Sequence, residues 1–156
     1  MSQARPLPDW METISAAVAA QGARGTFLVC FPAYRPELAR ALAERLDLEY
    51  LDFRAASLAP LGWRASALTL DALDQAIARR SDRGMVLHNA EALLATKPAE
   101  ERIAWLTGSV TRVQGALALV TLAVFDGEAP AESERVCRLA PEDMPPEKLL
   151  VRLASR

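Results

Sequence analysis

A chain of 156 residues, 51% hydrophobic and 24% charged, has the composition of one globular domain with a proper core and is too short for two. Its net charge of −2 gives no bulk attraction to nucleic acid or to an anionic membrane. The start, MSQARPLPDWMETI, has no apolar signal-peptide core, and the best apolar stretch, ALALVTLAVF, falls well short of the roughly 18 residues of a membrane span, so a cytoplasmic protein is expected.

In chain order, PDWMETISAAVAAQG predicts a first helix, with Asp9 and Glu12 at capping-box spacing and Trp10, Ile14 and Val18 on one face. GTFLVCF is a continuous apolar run that suits a strand buried on both faces. RPELARALAERLD follows, with Leu38, Leu42 and Leu46 on one stripe, then a short strand LEYLDF. Residues 54–68 hold Pro60 and Gly62 and read as an irregular crossover. TLDALDQAIARR has Leu70, Leu73 and Ile77 at helical spacing, with acids early and arginines late, as the helix dipole prefers. GMVLHN is a third strand. KPAEERIAWLTGSVTRVQG is a helix opened by Pro98 and ended near Gly115. ALALVTLAVFDG is the strongest strand signal, ERVCRLAP a fifth strand, and PEKLLVRLA a last helix. Strands alternating with helices imply an α/β fold, a mainly parallel five-stranded sheet with helices on both faces. Residues 1–23 form the N-terminal helix of this single domain, 24–140 its core and 141–156 its C-terminal helix. Cys30 and Cys137 are expected as reduced core residues, and metal-ligand spacing is absent.

In such a sheet, functional residues gather where strands end at the carboxyl edge. A phosphate loop of the form GxxxxGK[ST] needs glycines to turn backbone N–H groups inward, a lysine for the outer phosphates and a hydroxyl for magnesium. CFPAYRP has no glycine; the helix register puts Arg35 at the lysine position and Pro36 at the hydroxyl position, and Tyr34 fills space a glycine would leave. This loop is not expected to grip a triphosphate. In VLHNAEALLA, His88 stands where a magnesium-orienting acid would be, followed by Asn89, with Glu91 remaining. After LAVF, Asp126 occupies the place of a polar sensor, where a carboxylate repels the terminal phosphate unless a metal intervenes.

The order of strand, loop, LARALAERLDLEYLDF, VLHNAEALLA and LALVTLAVFDG resembles the small P-loop ATPase component of type 3 BREX phage-exclusion systems (BrxF), over about residues 24–140. The resemblance implies the three-layer P-loop architecture and an anti-phage defence setting. By analogy with the additional-strand P-loop class, GTFLVCF lies at the centre of the sheet, between ERVCRLAP and LALVTLAVF. The departures at Tyr34, Arg35, Pro36, His88, Glu91 and Asp126 fall on the nucleotide chemistry.

His88 is the only histidine, lacks partners for a metal site or a triad, and reads as a structural strand-end residue. Glu91 is either a relic general base or a first-turn helix acid, and Arg35 either an anion holder or a solvated arginine. Asp52, Asp71 and Asp74 read as surface or capping charges, and Arg79, Arg80 and Arg83 as a cluster complementing a helix end. Trp63 is a partner anchor or a core plug. The expected function is a non-catalytic P-loop-like subunit, needing no cofactor or metal, that binds a protein partner or a second copy. Its rim holds Phe31, Tyr34, Arg35, Trp63 and Arg64. The alternatives are a divergent ATPase completed by a partner chain, with Arg35, Glu91 and Asp126 as remnants, and an adaptor in DNA replication or repair.

Overall fold

The computed structural model describes residues 7–146. Helix α1 (Asp9–Ala20) leads into strand β1 (Thr26–Cys30), α2 (Pro36–Arg45) and β2 (Glu49–Asp52). A crossover follows, made of a π-helical turn (Arg54–Leu58) and a 3₁₀ stretch (Ala59–Ala67). Then come α3 (Asp71–Ala78), β3 (Met85–His88), the single turn α4 (Glu91–Leu94), α5 (Ala99–Ser109), β4 (Ala118–Leu122) and β5 (Val136–Arg138). The strands form one five-stranded sheet of order β2-β3-β4-β1-β5, with every pairing parallel.

The apolar runs explain that order. Every residue of β1, β3 and β4 is buried, as interior strands covered on both faces must be, while β2 is only half-buried at its edge. β1 lies between β4 and β5 as expected, but the middle position belongs to β4. Alternate side chains feed two cores. Phe27, Val29, Val86 and Leu119 pack with Ile14 of α1 and Leu42 of α2. Leu28, Leu87 and Val120 pack with Leu73 of α3, Leu93 of α4 and Leu106 of α5 on the other face. Cys137 registers with Val29, so the two cysteines sit on neighbouring strands but face opposite cores, and both are free. Burial pushes their thiols up, to about 12 for Cys30 and about 11 for Cys137.

Several boundaries differ from the sequence reading. The N-cap of α1 is Pro8 and no side chain caps it, so Asp9 opens the helix as a first-turn acid and the capping box does not form. α5 ends at Ser109, well before Gly115. β4 stops at Leu122, and residues 123–125 leave the sheet because Glu91 takes their amide hydrogens. The C-terminal helix lies outside the described residues. Asp74 is no bare surface charge: it accepts the indole N–H of Trp105 at 2.8 Å and pairs with Arg112 at 2.8 Å. Arg80 donates to the carbonyls of Ile77 and Ala116, closing the end of α3 as the dipole argument anticipates. No helix of the described residues is long and apolar enough to cross a membrane.

Candidate functional site at the carboxyl edge of the sheet

The parallel order delivers the loops after β1, β2, β3 and β4 to one edge. His88 ends β3, opposite Asp52 of β2 in register. Its imidazole is buried, with Nδ1 2.9 Å from the Thr121 hydroxyl on β4. The Tyr34 ring stacks on it at 5.6 Å between centroids and 12° between planes, while Tyr50 lies at 6.0 Å on a tilted plane. The histidine is therefore a structural strand-end residue with an aromatic cover. Burial lowers its pKa first; Asp52 opposes that and Arg40, itself stacked over Tyr50 at 4.6 Å, adds to it. The imidazole Nε2 is buried with no hydrogen-bond partner among the described residues.

Tyr34 is latched as well as stacked. Its hydroxyl donates to Asn89 Oδ1 at 3.0 Å, and Asn89 Nδ2 donates to Asp52 Oδ1 at 2.9 Å. The Ala55 amide also donates to Asp52, at 3.2 Å. Burial raises the Asp52 pKa, but the Asn89 and Ala55 hydrogen bonds outweigh it and hold the carboxyl below its ordinary value. Three loops are thus tied by one polar chain. The sequence reading of Asp52 as a surface or capping charge covers its bond to the Ala55 amide but missed the link to Asn89, along with the roles of Asn89, Thr121 and Tyr50. One signal was readable, the asparagine itself after a strand: position 89 takes φ +63°, a left-handed conformation that asparagine tolerates better than most residues.

The other sites expected at this edge sort differently. Glu91 is the first-turn acid of α4, and it is not a free general base. Its carboxylate accepts the amides of Ala123, Val124 and Phe125 at 2.8, 2.7 and 2.6 Å. Arg35 is not a solvated cation: it is 12% exposed, bonds Glu37 at 2.8 Å, and donates to the Pro145 carbonyl. Through Nε and Nη1 it therefore ties the chain end of the described residues to the start of α2. Pro36 occupies the first turn of α2, where its missing N–H goes unused. Phe31 is buried edge-on against Trp10 at 5.9 Å and offers nothing to the rim. Asp126 lies past the end of β4, in a 3₁₀ turn (Asp126–Glu128). That turn is held by the two-pronged Arg102–Glu128 pair at 2.9 and 2.7 Å and by Arg138 on the Asp126 carbonyl. Only Tyr34, Trp63 and Arg64 of the proposed rim reach the surface, and Trp63 is 88% exposed, which excludes the core plug.

Where the loop after β1 meets α2, the space left among Phe31, Tyr34, Arg35, His88, Glu91 and Thr121 is about 10 Å³. That is no more than a single water needs. A hollow of about 610 Å³ lies along edge strand β2 beside Arg79, Arg80 and Arg83. Among the described residues no group of three or more His, Cys, Asp and Glu side chains could hold a metal ion. Comparison of the chain with family models, with curated proteins and with solved structures returns no match.

Proposed function

We propose that this chain is a non-catalytic, P-loop-like domain that acts as a protein-binding subunit of a cytoplasmic assembly, in the bacterial anti-phage setting that its BREX-like segments imply. One observation carries the reading. The place where a P-loop protein holds phosphate is filled here by the chain's own side chains, leaving about 10 Å³. The all-parallel order with β1 between β4 and β5 supports the architectural half of the reading. The commitment of Glu91 to three amides supports the loss of chemistry, because that carboxylate would have to abandon partners before serving a nucleotide, and Arg35 is held in place by Glu37 and Pro145. An exposed tryptophan on the crossover after β2 supports a role exercised through the surface.

Titration calorimetry with ATP and Mg²⁺ tests this. The expected result is no saturable heat at millimolar nucleotide, a lenient threshold because a Kd of 1 mM corresponds to only about 4 kcal/mol. Micromolar binding overturns it.

A further inference from the structure

The crossover between β2 and α3 presents one side chain with unusual deliberateness. Phe53 and Leu58 anchor its start in the core, and Ala65 and Leu68 pack against that core at its end. Between them the backbone passes from a π-helical turn to a 3₁₀ stretch and bends at Gly62, at φ 56° and ψ −127°. Those angles belong to the first corner of a type II′ turn, which glycine alone adopts readily. The next residue, Trp63, points into solvent, and Ser66 Oγ donates back to its carbonyl at 3.3 Å. Lys97 Nζ caps the same turn through the Ser66 carbonyl at 3.2 Å. The tryptophan thus stands on a braced turn, and little ordering remains to be lost when a partner covers it.

The charges carried by the crossover itself are of one sign. Residues 53–70 contain no aspartate or glutamate, and they carry Arg54 and Arg64, both exposed, with Lys97 alongside. Neither arginine has an ion-pair partner among the described residues. The nearest acid before the segment, Asp52, is held by Asn89 and the Ala55 amide. A positive, aromatic patch on a chain of net charge −2 stands out from its surroundings.

The geometry points to this patch as the docking site for an acidic segment of a partner protein, one large apolar side chain lying against the Trp63 indole and carboxylates pairing with Arg54 and Arg64. Guanidinium groups match carboxylates through two parallel hydrogen bonds, and tryptophan and arginine are the residue types that dominate binding energy at interfaces. Single-stranded nucleic acid fits less well. Such sites stack successive bases on several aromatics, and here the other exposed aromatic, Tyr34, is already stacked on His88. The inference rests on the protein-binding reading above and names the partner's chemistry; nucleotide titration tests that reading separately, so the two can fail apart.

Of the three tryptophans, Trp10 and Trp105 are buried, so emission that acrylamide can quench comes from Trp63. The probe is a synthetic peptide repeating Glu-Glu-Leu, with an oligothymidylate as comparison. The expected result is a blue shift and loss of quenching on adding the peptide, weakened by salt. Trp63→Ala, followed by fluorescence of a labelled peptide, and Arg64→Glu each reduce affinity at least about tenfold with unchanged melting temperature. No protection of Trp63 by the peptide, variants that bind as the parent does, or protection by the oligothymidylate alone overturns the proposal.

Discussion

A carboxylate that accepts three amide hydrogens is an organising group, and Glu91 does this for the chain just past β4. Its three bonds run from 2.6 to 2.8 Å, and each joins a charged acceptor to a donor that the end of the strand leaves without a ladder partner. Glu91→Ala should therefore cost roughly 3 kcal/mol in urea unfolding, with Glu91→Gln intermediate because one carbonyl oxygen replaces two charged ones. A loss below about 1 kcal/mol for Glu91→Ala would mean that water replaces the carboxylate without penalty. Nothing in EALLA betrays this role. The partners of Glu91 are more than thirty residues away, and a first-turn glutamate is so ordinary that composition and spacing give no hint of them. Arg35 escapes a local reading for the same reason, since one of its acceptors is the carbonyl of Pro145.

At the scale of elements, the strands were readable and their ends were not. Continuous apolar runs demand burial on both faces, which placed GTFLVCF and LALVTLAVF inside the sheet. Where a run stops depends on which amides find a ladder and which find a side chain, and that is a tertiary matter. Two turns show how differently a glycine can be used. Gly25 enters β1 at φ +78°, and a Cβ there would meet the Arg112 carbonyl oxygen at 2.5 Å and the Val113 carbonyl carbon at 2.8 Å. Gly62 also has positive φ but has open space around it. Gly25→Ala should cost about 3 kcal/mol or more in thermal or urea unfolding, because backbone must move, whereas Gly62→Ala should cost only about 1 kcal/mol of backbone strain. Equal losses would show that steric crowding at the start of β1 is not what fixes Gly25.

At the scale of the whole molecule, two cores hold a parallel sheet whose carboxyl edge is closed by its own side chains. The architecture was legible because alternation of strand and helix patterns leaves few ways to pair the strands. The closed edge was legible only in outline: the missing glycines and the bulk of Tyr34 announced a filled loop, but not the Tyr34–Asn89–Asp52 chain that bolts it, nor that Phe31 turns inward to Trp10. The lone histidine makes the closure measurable by NMR, since every imidazole signal belongs to His88. Burial disfavours the charged ring, so it should titrate below its ordinary 6.5, taking up its proton at a lower pH than an exposed histidine does. Nuclear Overhauser contacts should join it to both Tyr34 and Tyr50, and millimolar ATP with Mg²⁺ should leave its shifts unchanged. A histidine that titrates at or above the ordinary value, lacks the Tyr34 contact and moves on adding nucleotide would contradict the closed edge and the function drawn from it.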